Sequence, residues 1–398
     1  MSPLLVIFVT VFIDLLGFGI IIPLLPFYAE HFGATALVVG LLGTSFSFAQ
    51  FVFAPVWGWL SDRFGRRPVI LVGLLGSAFS YALFALASSL TLLFVARTLA
   101  GIAGANIPTA QAYIADITTP ETRARGMGII GAAFGLGFIF GPAIGGFLSH
   151  WGYAAPAWFA AALSLANFCA ALVVLPESRP AERRGIVERR GRLEVFRGAL
   201  LRPHLPMVLL LHFVVMVAFA AFEAMFALFA ERRFGFTTVT IGYMFAWIGI
   251  VLATVQGGLV GRVVPRLGER RVVPGALLVL AVALVLIPLA GSVAWLAVAA
   301  ALVAVGMGFN GPSMMSTISR LGHERDQGST LGLSQSLASL ARIVGPVWGG
   351  WVFDTFGIGV PFLTSAALML VAFVMSLAIF RRMGRTSMDA IVRSAEPA

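Results

Sequence analysis

Four ionisable residues lie deep inside apolar segments of this chain, where charge is costly and usually functional. The acids are Asp14 and Glu223, and the bases are Arg97 and Arg342. Burial favours the protonated form of a carboxyl group, whereas a nearby arginine favours its ionised form. Small rearrangements could therefore load or release a proton, and the four residues are candidates for proton coupling. The alternative is two permanent ion pairs that only fix helix packing.

The segments around these residues predict a membrane protein. Of the 398 residues, 59% are hydrophobic and only 11% are charged. A spanning helix needs roughly 20 predominantly apolar residues, and twelve segments meet that requirement. They are predicted at 3–28, 37–61, 69–87, 90–116, 124–148, 154–176, 206–230, 238–261, 272–291, 293–317, 328–352 and 359–380. The predicted fold class is an all-α membrane protein with twelve transmembrane helices.

The positive charges predict the orientation of the chain in the membrane. All 27 basic residues are arginines; 23 of them lie in alternate gaps between spans, two in the opposite gaps and two inside spans. Positive residues accumulate in cytoplasmic loops, so both termini are predicted to be cytoplasmic and the protein to lie in the cell (inner) membrane. This orientation explains the net charge of +10, and nucleic acid is not expected as a partner.

A single long polar stretch predicts the domain organisation. It separates an N-terminal six-helix bundle, 1–176, from a C-terminal six-helix bundle with a short cytoplasmic tail, 206–398. The basic linker between them, 177–205, is predicted to be cytoplasmic. Part of it could lie on the anionic inner leaflet as an amphipathic helix, or it could be a solvated connection.

Internal repeats indicate that the two bundles are copies of one another. Two motifs of the first half recur 204 residues later, and a third recurs after 203. Parallel repeats related by an axis along the membrane normal are typical of one class of secondary transporters. In that class the substrate site lies at the interface between the repeats, near the midplane of the bilayer. The pairs are Gly104-Ala-Asn106-Ile-Pro108 with Gly308-Phe-Asn310-Gly-Pro312, Gly141-Pro142-x-x-Gly145-Gly146 with Gly345-Pro346-x-x-Gly349-Gly350, and Arg63-Phe-Gly65-Arg-Arg67 with Arg266-Leu-Gly268-Glu-Arg270.

Four motifs make the chain resemble the major facilitator superfamily, in its twelve-span drug:proton antiporter branch. The resemblance covers essentially the whole chain and implies two pseudo-symmetric six-helix bundles. The motifs are Asp14-Leu-Leu-Gly17-Phe-Gly19 in span 1, Gly58-x-x-x-Asp62-Arg63-x-Gly65-Arg66-Arg67 between spans 2 and 3, Arg97-x-x-x-Gly101-x-x-Gly104 in span 4, and Gly128-x8-Gly137-x3-Gly141-Pro142-x2-Gly145-Gly146 in span 5.

The resemblance implies a role for two of these motifs. The loop residues Gly58, Asp62, Arg63, Gly65, Arg66 and Arg67 would form a conformational latch, with Asp116 as a second partner for arginine. A solvated basic loop that only sets orientation is the alternative. The span 5 antiporter motif would pack closely through its glycines and bend at Pro142 as a hinge of alternating access; packing without a hinge is the alternative.

Tyr113-Ile-Ala-Asp116 and Leu267-Gly268-Glu269-Arg270-Arg271 resemble the tetracycline efflux proteins in particular. The chain departs from them in three places. Those proteins carry a histidine where this chain has Leu252, they carry an acid in span 9, and they have no counterpart of Glu223. The antiporter class is therefore implied by the resemblance, and tetracycline as substrate is not.

The predicted substrate site adds polar and aromatic residues to three of the central charges. Polar side chains in spans could line a cavity or form interhelical hydrogen bonds. Aromatic rings could stack on a flat amphiphile or face lipid. The predicted substrate-binding residues are Asp14, Arg97, Asn106, Gln111, Phe222, Glu223, Phe226, Asn310 and Gln335.

The predicted function is secondary active transport: proton-coupled antiport that expels a drug-like or amphiphilic small molecule by alternating access. A sugar or metabolite transporter of the same fold, facilitative or proton-coupled, is the alternative. A membrane enzyme is disfavoured because the sequence has no nucleotide loop, metal cluster or nucleophile constellation. The expected partners are the substrate, protons and the lipid bilayer; no cofactor or metal is expected, and a monomer would suffice.

Overall fold

The computed structural model of the protein describes residues 3–104, 107–119, 133, 135–137, 139–179, 198, 201–321 and 327–395. Within these ranges the regular structure is entirely helical. Two predicted site residues, Asn106 and Gly128, lie outside the described residues.

Long apolar helices dominate the described chain, in the order α1 to α14. A helical stretch at 139–148 and a 3₁₀ turn, Ser149–Trp151, precede α7. The helices are α1 Pro3–Ile21, α2 Leu25–His31, α3 Ala36–Phe64, α4 Arg66–Ala85, α5 Leu90–Ala103, α6 Ile107–Ile117, α7 Ala154–Val174, α8 Leu205–Phe234, α9 Thr238–Thr254, α10 Val260–Leu267, α11 Glu269–Leu286, α12 Val293–Leu321, α13 Gln327–Phe356 and α14 Val360–Ala395.

The described residues contain nine helices that are long and apolar enough to cross a membrane. Predicted spans 9 and 11 correspond to α11 and α13, and predicted span 5 is described only in part. The chain is a multi-pass membrane protein, as predicted.

Two predicted spans are not regular α-helices throughout. Span 1 ends as a helix at Ile21 and resumes as α2 after a turn at 22–24. Span 8 passes through a π-helical turn, Val255–Leu259, between α9 and α10. Hydropathy cannot locate such breaks, because the residues on both sides of each break are apolar.

Packing divides the chain into two compact units. Unit 1 comprises Met1–Glu188, Glu223–Ile250 and Arg342–Ile358, and unit 2 comprises Arg189–Phe222, Val251–Ala341 and Gly359–Ala398. These units cut across the predicted halves, so the division at 176 and 206 stays a prediction. In unit 1 a buried core joins α1, α4, α6 and α7 around Tyr113, and in unit 2 α11 packs against α12 and α14.

Glycines of the span 5 motif bring the 139–148 segment into backbone contact with two helices. A Cβ added at Gly141 would lie 2.7 Å from the Cα of Gly19, and one at Gly145 would lie 2.5 Å from the carbonyl oxygen of Ile20, both in α1. Gly137 faces the same helix. A Cβ at Gly146 would lie 2.6 Å from the Cα of Gly242 in α9. The motif therefore packs as small residues do between membrane helices.

The repeat of this motif in α13 makes the equivalent contact with α3. The carbonyl oxygen of Pro346 fills the space beside Gly40, and a Cβ at Gly350 would lie 2.7 Å from the Cα of Leu37. In the first copy, the carbonyl oxygen of Pro142 lies 3.0 Å from the Cβ position of Gly242. Each copy thus packs a proline carbonyl against a glycine of another helix.

We predict that Gly141→Ala destabilises the folded protein by about 1–3 kcal/mol, because the added methyl group meets backbone atoms that cannot rotate away. A lower midpoint of thermal unfolding in detergent would show this. Gly275→Ala is the matched control, since nothing lies within 4 Å of that Cβ position in α11. Equal unfolding midpoints for the two variants would contradict the packing role of Gly141.

Candidate functional site

Asp14 lies half-buried in the middle of α1, with a hydroxyl group as its hydrogen-bond partner. Ser77 in α4 donates its Oγ–H to Oδ1 of Asp14 at 3.1 Å. A small cavity beside the carboxyl group is lined mainly by apolar side chains of α1, α4 and α6: Ile7, Thr10, Val11, Ile70, Leu74 and Ala110. The site thus places a carboxyl group next to one neutral donor in low-dielectric surroundings.

Arg97 is buried beneath two aromatic rings. Its side chain in α5 is 4% exposed, and its guanidinium carbon lies 4.5 Å from the ring centre of Phe46 and 6.0 Å from that of Phe18. Such cation–π contacts favour a desolvated guanidinium. Within the residues that the structure describes, Arg97 forms no ion pair with Asp14 and its Nε has no hydrogen-bond partner.

Tyr81 lies within electrostatic reach of both charges. Its hydroxyl-bearing ring is buried and contacts Gly17, one turn after Asp14 in α1. The Tyr81 side chain interacts with the charges of both Asp14 and Arg97. In the first half, therefore, the charges of the acid and of the base both act on Tyr81, and the described residues contain no ion pair between Asp14 and Arg97.

The acid and base of the second half are arranged differently. Glu223 in α8 and Arg342 in α13 are both half-buried in unit 1, and their charges interact with each other. Unit 1 consequently holds all four central ionisable residues that the sequence singles out. A favourable charge partner offsets part of the cost of burying Glu223.

The remaining substrate candidates are dispersed over both units. Phe226 is fully buried against Phe245 in unit 1, with ring centres 5.8 Å apart. Phe222 is buried against Phe362 in unit 2. Gln111 and Gln335 are half-buried. Protein covers both rings in this conformation, and the binding roles of these residues stay predictions.

Asn310 differs from the other polar candidates. It is fully buried in α12, and neither its amide nitrogen nor its amide oxygen has a hydrogen-bond partner within the described ranges. An unsatisfied buried amide is costly. Its predicted role in substrate binding stays a prediction.

The predicted latch residues form an ion-pair network where α3 ends and α4 begins. Arg66 is 5% exposed; its Nη1 lies 2.7 Å from Oδ1 of Asp62 and its Nε lies 3.1 Å from Oδ2 of Asp116. Gly65 separates the two helices with φ of +106°, a conformation that favours glycine. One buried arginine thus ties the loop to the end of α6.

Residues 176–179, which follow α7, complete this network. Glu177 accepts the backbone N–H groups of Arg66 and Arg67, at 2.9 and 3.3 Å, and so caps the N-terminus of α4. Arg179 donates to Asp62 at 2.9 Å, and Ser178 donates to Asp116 at 3.2 Å. The beginning of the predicted linker is therefore part of this hydrogen-bond and ion-pair network.

Three other latch residues have separate contacts. The Arg63 side chain is exposed and lies 5.5 Å from the ring centres of both Trp59 and Phe64. Arg67 donates its side-chain Nη2 to the carbonyl oxygen of Leu172. The carbonyl oxygen of Gly58 accepts from Ser61 at 2.8 Å. Of the two arginines considered as partners of Asp62, Arg66 contacts it and Arg67 contacts α7.

The other end of α3 is held by an aspartate from α13. Asp354 accepts the N–H of Ala36 at 3.1 Å and the N–H of Leu37 at 2.8 Å, so its charge lies at the positive end of α3. Further along the helix, Thr44 donates to the carbonyl oxygen of Ile343 at 2.8 Å. These bonds lie before and after the contact between Gly40 and Pro346 along α3. Hydrogen bonds and close packing together therefore hold α13 against α3.

A charged cluster lies between α2 and α8. Arg232 forms an ion pair with Glu30 at 3.0 Å, and its guanidinium carbon lies 4.9 Å from the ring centre of Phe353. The charge of Glu231 interacts with those of Glu30 and Arg232, so the cluster contains two acids and one base. Arg232 is one of the two arginines in the opposite gaps, and these contacts fix it between α2 and α8.

Sequence reasoning missed Tyr81, Glu177, Arg179 and Asp354. The position of Tyr81 could have been predicted from the sequence. Ser77 and Tyr81 are four residues apart and so share one face of a helix, which is the face that meets Asp14 through Ser77. No local signal identifies Asp354 or Glu177, since their partners are backbone N–H groups more than 100 positions away.

Comparison with known proteins agrees with this architecture. The profile of the family described as Major Facilitator Superfamily matches residues 7–266 and again residues 257–394. The chain belongs to the major facilitator superfamily. It is therefore a transporter of small molecules with the all-α fold of that superfamily, as the sequence predicted.

Relatives across this superfamily resemble the whole chain. Multidrug resistance protein 2 of Bacillus subtilis (strain 168) is 30% identical over 366 residues, which are 91% of each chain. Tetracycline resistance protein, class C, of Escherichia coli is 33% identical over 350 residues, 87% of this chain and 88% of the relative. The crystal structure of the human organic anion transporter MFSD10 (TETRAN) is similar with a TM-score of 0.74 and 30% identity, over 94% of this chain and 100% of that one.

We predict that Asp62→Asn lowers the transport rate about tenfold and leaves the protein folded, because the amide accepts less strongly from Arg66 and Arg179 than the carboxylate does. Initial rates in proteoliposomes and elution as a single species in size-exclusion chromatography would test this. Glu269→Gln removes one charge from the corresponding loop of the second half and should transport normally. A wild-type rate in Asp62→Asn would refute the latch.

We also predict that Asp354→Ala loosens the contact between α3 and α13, because two N–H groups at the start of α3 lose their acceptor. Loss of a helix cap costs about 0.5–2 kcal/mol, which corresponds to a roughly two- to thirtyfold shift of an opening equilibrium. The shift can be measured with a cysteine introduced by Gly43→Cys in a Cys169→Ser background. When the contact opens more often, that thiol is exposed more often and reacts faster with a labelling reagent.

Glu269→Ala, which removes a carboxylate from unit 2, is the control for this experiment. It should leave the labelling rate at position 43 unchanged. The same rate in Asp354→Ala and in its parent would exclude Asp354 from closing this contact.

Proposed function

We propose that this transporter is a proton-coupled antiporter that expels an amphiphilic, drug-like molecule from the cytoplasm by alternating access. The observation that supports the proposal most strongly is the state of Asp14. It is a carboxyl group inside a spanning helix, with a neutral hydrogen-bond donor and no direct ion pair within the described residues. A carboxyl group with neutral neighbours can change its protonation state without leaving an unpaired arginine behind.

In this proposal Asp14 exchanges a proton for substrate. Ser77 stabilises the ionised carboxylate by donating a hydrogen bond, and the apolar cavity wall favours the protonated form. Tyr81 lies close to both Asp14 and Arg97, so movement of α4 relative to α1 or α5 changes the field at the carboxyl group. Proton binding and helix packing are thereby coupled.

Glu223 is the second proposed proton carrier. Its charge interacts with that of Arg342, and any helix movement that separates the two removes a stabilising partner from a buried carboxylate. The unpaired carboxylate would then bind a proton, because an isolated charge at this depth is costly. Asp14 and Glu223 provide two routes for coupling that single substitutions can distinguish.

The proposed substrate has a flat apolar part and a polar or charged group. Arg97 with the rings of Phe46 and Phe18 offers a cation beside aromatic surface, which suits such a molecule. Relatives similar to this chain are named as multidrug resistance, tetracycline resistance and organic anion transport proteins. A sugar, which lacks extended apolar surface, fits these surroundings less well.

Alternating access needs contacts that close each end in turn. We propose the ion-pair network of Asp62, Arg66 and Asp116 as the contact that changes at the arginine-rich side. The contact of α13 with α3, held by Asp354, would change at the opposite side. In this scheme the arginine-rich side and both termini are cytoplasmic, and the protein works as a monomer in the cell (inner) membrane.

We predict that Asp14→Asn abolishes the pH dependence of transport, because the amide cannot bind or release a proton. The measurement uses proteoliposomes with an acidic lumen, in which outward proton flow drives dye or drug accumulation. Wild type should concentrate the substrate several-fold, whereas Asp14→Asn should only equilibrate it. Glu223→Gln is assayed in the same way, and a loss of gradient-driven accumulation in this variant would identify Glu223 as a proton carrier.

Asp389→Asn in the C-terminal tail is the matched control and should behave as wild type. Full gradient-driven accumulation in both Asp14→Asn and Glu223→Gln would exclude these acids as proton carriers. Equilibration of a sugar that is indifferent to the pH gradient, without drug accumulation, would favour the metabolite transporter.

A further inference from the structure

The two repeats of the loop motif have diverged in charge. In the first repeat, Asp62 stands before the arginines, whereas in the second Pro265 occupies the corresponding position. The second repeat nevertheless keeps its positive charge, in Arg262, Arg266, Arg270 and Arg271. Glu269 takes the place of Arg66, and it is engaged by Ser316 and Arg320. Four arginines without a carboxylate at the position of Asp62 suggest that they bind something other than the protein itself.

The arginines of the first repeat are satisfied by protein contacts. Arg66 is buried between Asp62 and Asp116, and Arg67 donates to the carbonyl oxygen of Leu172. Arg63 lies against the rings of Trp59 and Phe64. Of the three arginines, only Arg63 is exposed.

The four arginines of the second repeat are all exposed, and none forms an ion pair with a carboxylate within the part of the chain that the structure describes. The nearest acid in sequence, Glu269, is engaged elsewhere: it accepts from Ser316 at 3.0 Å and pairs with Arg320 at 3.1 Å. Arg262 donates one bond to the carbonyl oxygen of Gly258 at 2.8 Å, which leaves the rest of its guanidinium exposed.

The backbone gathers these arginines at one end of two spanning segments. Arg262 and Arg266 are four residues apart in α10 and therefore share a helix face. Gly268, with φ of +72°, turns the chain into α11, whose first turn carries Arg270 and Arg271. Exposed leucines adjoin the cluster, with Leu259 42% and Leu267 48% accessible. Cationic and apolar side chains thus lie together where spanning helices end.

We propose that this cluster, Arg262, Arg266, Arg270 and Arg271, binds the head groups of anionic phospholipids. Clustered arginines immediately beside a membrane helix are attracted to anionic lipids, and guanidinium groups bind phosphate oxygens in a bidentate manner. The exposed leucines would contact the acyl chains next to the head group. The site lies in unit 2, and the proposal does not depend on which substrate is transported or on proton coupling.

The test measures retention of phosphatidylglycerol by the purified full-length protein, with native mass spectrometry and with fluorescent lipid in detergent. Each arginine near an anionic surface contributes about fivefold in affinity. R262Q/R266Q should therefore weaken phosphatidylglycerol binding about 25-fold and leave phosphatidylcholine binding unchanged. Arg270 and Arg271 are kept so that the loop retains positive charge for membrane orientation.

Two further variants separate charge at this site from charge in general. R262K/R266K keeps the positive charge and should bind within a few-fold of wild type. R233Q/R381Q removes two exposed arginines elsewhere and should bind as wild type does. Raising the salt concentration should weaken the binding of phosphatidylglycerol to the wild-type protein, because salt screens exposed charges. This measurement requires no variant.

The proposal is overturned if R262Q/R266Q retains phosphatidylglycerol as well as wild type, or if wild type binds phosphatidylcholine equally well at low salt. Displacement of the lipid by inorganic phosphate at similar concentration would point to a simple anion site instead. Failure of proton-driven transport in the assay of Asp14 would leave this result unaffected.

Discussion

Close backbone contact between helices is the constraint on which unit 1 depends. A membrane gives no hydrophobic driving force between helices, so association depends on van der Waals packing and interhelical hydrogen bonds. The glycines of both copies of the span 5 motif bring helices so close that a single added Cβ would meet backbone atoms. Asp14, Arg97, Glu223 and Arg342 then lie within one packed unit, because the helices that carry them are held at fixed distances.

Buried charge is the second constraint, and each half of the chain meets it differently. Arg97 is covered by aromatic rings, and Asp14 accepts a hydrogen bond from Ser77, whereas the charges of Glu223 and Arg342 interact with each other. In the proposed mechanism, the first arrangement would let the carboxyl group of Asp14 change its protonation state, and the second would couple the protonation of Glu223 to the distance between two helices. The two halves of the chain therefore hold their buried acids in different surroundings.

Divergence between the repeats also separates the roles of the two basic loops. In the first, Asp62, Asp116 and Glu177 bind the arginines and helix ends, which makes the loop part of the protein's own packing. In the second, Pro265 replaces Asp62 and Glu269 replaces Arg66, and the four arginines Arg262, Arg266, Arg270 and Arg271 are exposed. The same loop geometry, with Gly65 or Gly268 at positive φ, thus supports an internal contact in one half and an outward-facing charged surface in the other.

The sequence by itself determined the class of protein, most helices, the duplication and the superfamily, because hydropathy, glycine spacing and motif repeats are local properties of the chain. It also singled out Asp116 as a partner for an arginine and the central charges as a group. Only the tertiary structure decided that Asp354 caps α3 and that Asp14 pairs with Ser77 and not with Arg97. These contacts join residues far apart in sequence, and their geometry depends on how the helices pack, which no local pattern encodes.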